Sequence, residues 1–496
     1  MSASSSPTSL GAPRAGAPRW GVQASLIQPR QPAFWLFVAA LAIGGYFFLD
    51  QQLAMSSMAQ PFAASWLLVL AYALPVAVAV YRLDLFEREP RLMLGGALLW
   101  GGVVATSFAG YANEAWLSVL GKIAPDLAAP WGAAIVGPGV EETLKLMGVI
   151  TLFLIASSEF DGVMDGFVYG ALVGLGFTVV EDVSYFIQAA ALAPGGVSQS
   201  GPVWDTFLIR VVGGGLYGHV LFTGLTGIGF AFLMTQPRVA LSRRLLVGGL
   251  CIAAGVAAHA VWNSPWMQTI LATQGDQPSV TQWIAYGAVK GLPFLLLLAL
   301  LVAFATRSEE DNFRAIVAGE PDPAVITQSE IVSLRSLLAR RSARLAAGRA
   351  GGPAAEHLVG QLQAAQVEYA LIRSRVDSLD DPALEVERRK IRSIREELAR
   401  RSAAGAAAVQ RGVAQTVAHA AAVQRGVAQA TWAPTHLVPL DGMAAWAASD
   451  PSQPPVAMLP PWLELAVEAR AGEWAQVRAE NGWRGWVDGR LLVPRG

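Results

Sequence analysis

Apolar residues dominate the first 305 positions of the chain in long runs, and they become sparse in the remainder. A helix of roughly 20 apolar residues is long enough to cross a bilayer. Eight runs reach about that length, which predicts an all-α polytopic membrane domain with about eight transmembrane helices. The predicted spans are residues 32–49, 62–80, 92–112, 131–156, 162–188, 206–234, 245–264 and 282–305.

The connections between these runs differ in positive charge. Seven arginines lie in one set of connections, whereas the opposite set contains only Lys122. The arginines are Arg82, Arg88, Arg91, Arg238, Arg243, Arg244 and Arg307. Because cytoplasmic loops carry an excess of lysine and arginine, we predict that both termini of this plasma-membrane protein are cytoplasmic.

Composition outside the spans predicts three further regions. Residues 1–31 are rich in Ser, Ala, Pro and Gly, which is typical of a disordered leader before the membrane domain at 32–305. Residues 306–430 are rich in arginine and alanine and predict a helical cytoplasmic tail with a linker. Residues 434–496 form the last region.

Two helix starts are recognisable in the tail. Thr327 with Glu330 three residues later is a capping box, and it predicts a helix that ends near Gly348. Asp381 followed by Pro382 predicts a second N-cap. A ten-residue segment then occurs twice at an offset of two heptads, which fits either a weak helical self-association segment or a low-complexity linker. The two copies are residues 406–415 and 420–429.

The last region alternates apolar and polar positions at the strand period. Asn481-Gly482 is a hairpin-turn sequence between two such stretches. Trp474 at the start of one stretch and Gly485-Trp486-Val487 in the next resemble a bacterial SH3-like domain. The resemblance implies a small C-terminal β-barrel with a peptide ligand.

Composition excludes a soluble globular protein. Hydrophobic residues make up 53% of the chain, charged residues only 15%, and the mean hydropathy is +0.42. The single cysteine, Cys251, permits no intrachain disulfide. We expect partners in the lipid bilayer and among membrane proteins, and no nucleic acid.

Two glutamates and a lysine interrupt the fourth apolar run. Ionisable side chains inside a span are energetically expensive and usually functional. Glu141 and Glu142 lie four and three residues before Lys145, so on a helix the lysine can neutralise one of them. The other is then a candidate general base, although a buried ion pair that only locks helices together fits the same spacing.

Three neighbouring runs contribute further polar groups. They are Glu181 in the fifth, His219 in the sixth, and His259 with Asn263 in the seventh. From the helical rise, these groups and Glu141 all lie between the middle of the membrane and its outer surface. We therefore predict that they meet in one water-accessible cavity.

The ordered set of motifs resembles the PrsW-type intramembrane proteases, within the CAAX-protease and bacteriocin-processing superfamily of glutamate-dependent membrane peptidases. The resemblance covers about residues 60–265. Asp182 departs from the pattern, since the family usually has asparagine there. The motifs are Glu141-Glu142-x-x-Lys145, Phe177-x-x-x-Glu181, Gly218-His219 and His259-x-x-x-Asn263.

The resemblance implies hydrolysis of peptide bonds in membrane-anchored proteins, anti-sigma factors among them. One carboxylate of the Glu141/Glu142 pair would be the general base, helped by Glu181 and His219, while Lys145 would balance charge.

The resemblance also implies an oxyanion site made by His259 and Asn263. Glu181, His219 and His259 are candidate ligands for a zinc ion. The sequence has no His-Glu-x-x-His pair, and it favours a metal-free glutamate mechanism slightly.

Two other classes of function fit the same residues. Intramembrane Glu, His and Lys also form relays in proton- or ion-coupled carriers, although the spans show no inverted repeat. A non-catalytic scaffold that gathers partners through its tail is the third reading.

Overall fold

The computed structural model of the chain describes residues 24–86, 89–193, 200–213, 217–266, 280–318, 320–401 and 433–495. The chain divides into two compact units, Met1–Gln410 and Arg411–Gly496. Within the described residues the first unit is helical and the second contains the strands. The repeats at 406–415 and 420–429 lie outside the described residues, as does most of the predicted leader.

The helices of the first unit are numbered along the chain. They are α1 (Pro32–Ser56), α2 (Ala59–Leu83), α3 (Arg91–Ile123), α4 (Pro125–Ile155), α5 (Val163–Leu192), α6 (Gly201–Phe207 with the π-helical Leu208–Gly213), α7 (Gly218–Thr235), α8 (Leu241–Asn263), α9 (Val280–Val317), α10 (Gln328–Leu334), α11 (Leu337–Arg375) and α12 (Pro382–Arg401).

Seven of these helices are long and apolar enough to cross a membrane, namely α1, α2, α3, α5, α7, α8 and α9. They indicate a multi-pass membrane protein, as predicted. The predicted fourth span is the helix α4, which is not among the seven because Glu141, Glu142 and Lys145 lie within it. The predicted span at 206–234 corresponds to two helices, since α6 ends at Gly213 and α7 begins at Gly218.

Helix α5 lies at the centre of the membrane domain and is buried along most of its length. Its contact with α7 requires glycine. A Cβ atom at Gly170 would lie 2.4 Å from the carbonyl oxygen of Thr223, and one at Gly174 would lie 2.1 Å from that of His219. Because such distances are sterically forbidden, the two backbones approach this closely only with glycine. The approach brings α5 against the start of α7, where His219 lies.

Helix α3 contains a π-helical stretch, Trp100–Ala105. A Cβ atom at Gly101 in this stretch would lie 1.9 Å from the carbonyl oxygen of Val173 on α5. The indole N–H of Trp100 donates to the carbonyl oxygen of Leu144 on α4 at 3.0 Å. The stretch thus ties α3 to α5 and to the turn of α4 that carries the glutamate pair.

Several connections meet at one end of the membrane domain. Phe160 between α4 and α5, Arg238 between α7 and α8, and Ser308 on α9 line one cavity of about 490 Å³. The Ala24 N–H donates to Glu159 Oε1 at 2.6 Å at the end of α4. The arginine-bearing connection between α7 and α8 therefore shares one end with the α4–α5 connection and with the part of α9 that follows Arg307. Which side of the membrane that end faces stays a prediction.

Both predicted helix starts in the tail are confirmed. The Glu330 N–H donates to Thr327 Oγ1 at 3.2 Å in a complete capping box, and the Ala383 N–H donates to Asp381 Oδ1 at 2.8 Å. The predicted end near Gly348 is wrong, because α10 ends at Leu334 and α11 continues to Arg375. The helical geometry of α11 breaks at Gly352, where φ is 76°.

The strands of the second unit form two small sheets. Five strands pair in the order β6-β5-β4-β1-β7, and β2 pairs with β3. The Asn481-Gly482 turn joins β5 to β6 as predicted. The described strands do not close into a barrel, so the predicted SH3-like barrel is not confirmed. The strands are β1 (His436–Leu437), β2 (Met443–Ala445), β3 (Ala457–Leu459), β4 (Glu464–Ala471), β5 (Trp474–Ala479), β6 (Arg484–Asp488) and β7 (Val493–Pro494).

Candidate active site

Lys145 is the centre of a buried network between α4 and α7. Its side chain is fully buried, and its ammonium group donates to Glu142 Oε1 at 2.8 Å and to Glu141 Oε2 at 3.3 Å. The same group lies 2.8 Å from Nδ1 of His219. The i,i+3 and i,i+4 spacing thus pairs the lysine with both glutamates, not with one.

Both carboxylate oxygens of Glu142 contact polar groups of the surrounding helices. Beside Lys145, it accepts a hydrogen bond from Thr223 Oγ1 at 2.9 Å and contacts His259 Nδ1 at 2.9 Å. Its side chain is 1% exposed, and it does not line the adjacent cavity. Glu142 therefore holds three helices together and is closed to water.

The hydrogen-bond partners set the proton positions on the two histidines. Because Glu142 accepts, His259 donates through Nδ1 and keeps a lone pair on Nε2, which lies 3.7 Å from Glu141 Oε2. An ammonium group cannot accept, so His219 Nδ1 accepts from Lys145. The proton of His219 is then on Nε2, which donates to Glu181 Oε2 at 3.0 Å.

The carboxylates of α5 are paired with an arginine of α6. Arg210 donates through Nη2 to Glu181 Oε2 and through Nε to Asp182 Oδ1, both at 2.9 Å. The Tyr72 hydroxyl donates to Asp182 Oδ2 at 2.7 Å. The extra negative charge at Asp182 is therefore balanced locally. Glu181 lines the adjacent cavity, and its Oε1 has no hydrogen-bond partner among the described residues.

These groups surround a cavity of about 310 Å³. The structure brings together all seven predicted site residues, five of them on the cavity wall and two, Glu142 and Lys145, behind it. The five on the wall are Glu141, Glu181, His219, His259 and Asn263.

Asn263 lies at the end of α8, where a second helix fixes its position. Its side-chain amide donates to the carbonyl oxygen of Ala133 on α4 at 3.1 Å. The buried ammonium group of Lys290 on α9 donates to the carbonyl oxygens of Trp262 and Ser264, at 3.0 and 2.6 Å. Lys290 therefore caps the helix that carries His259 and Asn263.

Sequence reasoning assigned no role to four residues of this region. Arg210 and Lys290 are detectable as single charges in apolar runs. Asn113, which donates to Glu141 Oε1 at 3.0 Å, and Tyr72 carry no such signal.

One group of side chains has the composition of a metal site. Single donor atoms of Glu141, His219 and His259 all lie within 4.8 Å of one another, and all three residues are buried. One carboxylate and two imidazoles are a ligand set found in catalytic zinc sites. The structure groups Glu141 with the histidines, whereas the sequence suggested Glu181.

The charge of the region also fits a cation. Four carboxylates face two cations across the network, so the formal charge is −2 with both histidines neutral. The residues therefore fit a divalent metal ion by ligand type, burial and charge.

Comparison with known proteins agrees with this geometry. Residues 89–304 match the model of a family described as PrsW family intramembrane metalloprotease. No curated protein and no solved structure matches the chain. The matched stretch contains every member of the buried network from Glu141 to Lys290, and it supports the prediction of an intramembrane protease.

Proposed function

We propose that this chain is an intramembrane protease that hydrolyses peptide bonds of membrane-anchored proteins, with anti-sigma factors as one substrate class. The observation that carries the proposal is the Glu141, His219 and His259 group on the wall of a cavity inside a membrane domain. A protease inside a membrane must bring water to a peptide bond within the bilayer. The cavity is lined by polar side chains that can bind such a water.

In this proposal Glu141, His219 and His259 would hold a metal ion, with zinc as the candidate. His219 would coordinate only after it gives up one of its two hydrogen bonds, the one from Lys145 or the one to Glu181. When bound, such an ion supplies Lewis acidity at the scissile carbonyl. Glu142 fixes the His259 ring so that Nε2 faces the cavity, and a carboxylate behind a ligand histidine is a common orienting device. Because Nε2 then carries a lone pair, His259 acts as a ligand more readily than as an oxyanion donor.

The proton of the attacking water is taken by Glu181 Oε1. Glu181 lines the cavity and its Oε1 has no partner among the described residues, whereas Oε2 is held by Arg210 and His219. A carboxylate fixed through one oxygen and open at the other suits a general base. The second N–H of the Asn263 amide is the available donor for the developing oxyanion.

A metal-free mechanism uses the same cavity. Glu141 would then take the proton itself, oriented by Asn113 and Lys145. Metal content separates the two mechanisms, because only the first requires a bound ion in the resting protein.

The test is cleavage of a single-span membrane substrate by the purified protein in liposomes. Glu181→Gln, which removes the proposed general base, should lower the rate at least roughly 100-fold. Glu141→Gln, which removes a proposed metal ligand, should lower it at least as much. Glu159→Gln, a buried glutamate far from the cavity, is the matched control and should cleave normally. Full activity in both cavity variants would exclude the protease. Loss of ion flux in those variants would favour a carrier.

Metal analysis of the same preparations completes the test. About one bound metal ion per chain is expected in wild type and Glu181→Gln, and much less in Glu141→Gln and His259→Ala. If the wild-type protein contains no metal and still cleaves in the presence of a chelator, the metal mechanism is wrong and the metal-free glutamate mechanism is supported.

A further inference from the structure

The first half of α11 carries a surface that the proposed protease does not use. Residues 337–355 contain four arginines and no aspartate or glutamate. A soluble helix of this length normally mixes both signs of charge, so a purely basic stretch indicates an anionic partner.

The basic residues share one side of the helix with exposed leucines. Ala339, Ala343 and Ala347 form a buried stripe, and the opposite side is exposed. Leu338 is 79% exposed, Leu337 43% and Leu345 38%. We call this side the arginine–leucine face. It consists of Leu337, Leu338, Arg341, Arg344, Leu345 and Arg349.

The arginines of this face have no internal counter-charge. Among the residues that the structure describes, Arg341, Arg344 and Arg349 form no ion pair. In contrast, Arg388, Arg392 and Arg395 of α12 each pair with a carboxylate. The arginine–leucine face is therefore both positively charged and apolar, which is the pattern of a helix that lies on a membrane surface.

Two contacts place the start of α11 near the membrane. The Arg340 guanidinium lies 5.2 Å from the ring centre of Phe86, which follows the end of α2 by three residues. Three residues extend at most about 10 Å. Arg335 lies 3.4 Å from Glu310, on the part of α9 that continues just beyond its apolar run. The helix thus begins within reach of the headgroup layer.

We infer that the arginine–leucine face lies on the anionic headgroups of the leaflet from which α2 and α9 emerge. The arginines bind lipid phosphates, and the leucines enter the boundary between headgroups and acyl chains. The inference does not depend on the proposed protease activity.

The test places an environment-sensitive fluorophore on the full-length protein in nanodiscs. A cysteine at Leu338 in a Cys251→Ala background carries the dye, and the lipid is either neutral phosphatidylcholine or a mixture with anionic phosphatidylglycerol. Val386, an exposed residue of α12, carries the dye in the matched control. We expect a blue shift and quenching by headgroup nitroxides for Leu338 in anionic discs only, and neither for Val386.

Charge reversal tests the role of the arginines. Arg341→Glu and Arg349→Glu should each lower the equilibrium constant for lipid binding of the face by about fivefold. Water-like emission of the Leu338 label in both lipids would overturn the inference. Burial of the label that appears only with two chains per disc, or equally in detergent, would assign the face to another protein surface and would also overturn it.

Discussion

Glu141 and Glu142 are neighbours in sequence, yet their surroundings differ. Glu141 lines the cavity, whereas Glu142 is held by Lys145, Thr223 and His259 away from it. We predict that Glu142→Gln destabilises the fold by about 1.5–3 kcal/mol, because it removes the nearer of the two carboxylates of Lys145 and the charged acceptor of His259. The measurement is the thermal unfolding temperature in detergent.

Glu141→Gln is the comparison for this prediction. Its side chain reaches the cavity, so the amide can find water, and the unfolding temperature should stay close to wild type although cleavage is lost. Equal unfolding temperatures for the two variants would mean that Glu142 is not the structural member of the pair.

The spacing of residues predicted the lysine–glutamate contacts but not the difference between the glutamates. A helix places positions i, i+3 and i+4 side by side, whatever the rest of the fold. The enclosure of Glu142 depends on Thr223 and His259, which are 81 and 117 residues away in sequence. No local pattern encodes which lone pairs such distant residues will occupy.

At the scale of elements, the end of α8 depends on a residue of α9. Lys290→Met should remove the donor to the Trp262 and Ser264 carbonyls and lower stability by about 1.5–3 kcal/mol, the usual effect of a hydrogen bond to a charged group. The turnover number should also fall, because His259 and Asn263 lie in the last two turns of α8 and lose their fixed positions when the helix end is no longer capped.

Lys290→Arg separates capping from general loss of stability. It keeps a cation and several donors at the helix end, so it should restore much of the turnover that Lys290→Met loses. The turnover number and KM are measured for both variants, together with thermal unfolding. If Lys290→Arg is as stable as wild type but does not recover the turnover number, a cation at the end of α8 is not what the site needs.

Hydrophobic runs predicted the membrane helices well and their interruptions poorly. The runs are predictable because the hydrocarbon core of the bilayer favours apolar side chains at every lipid-facing position. The π-helical stretch of α3 reflects a close contact with a particular neighbour, that of Gly101 with Val173. Lys290 is visible in the sequence as a charge in an apolar run, but its capping role is not, because its partners are backbone carbonyls.

At the scale of the whole molecule, three regions meet around Glu159. The N-terminal segment reaches it through the Ala24 N–H, the start of α5 contributes Asp165, and the tail contributes Arg375. Charge asymmetry predicted that these regions share one end of the domain, but a buried carboxyl group between them was not foreseeable. Its neighbours come from positions 24, 165 and 375.

Burial makes this junction sensitive to pH. Burial raises the pKa of Glu159 to about 7, and the hydrogen bond from Ala24 and the charge of Arg375 oppose the increase only in part. The native pKa therefore exceeds that of the unfolded chain, near 4.5. The native state prefers the protonated carboxyl, so stability is highest below the unfolded pKa and decreases as the pH rises through about 7.

We predict that Glu159→Gln removes this dependence. The amide oxygen still accepts from Ala24 but carries no proton to lose, so the variant should unfold near the wild-type temperature at about pH 5. Above about pH 7 it should be more stable than wild type, by up to roughly 3 kcal/mol for the full shift. Unfolding in detergent across this range measures the difference, and Glu396→Gln, an exposed glutamate of α12, controls for the loss of a surface charge. If the stability difference between Glu159→Gln and wild type were the same at every pH tested, Glu159 would be ionised in the native state across that range. Burial would then not raise its pKa, and the prediction would be wrong.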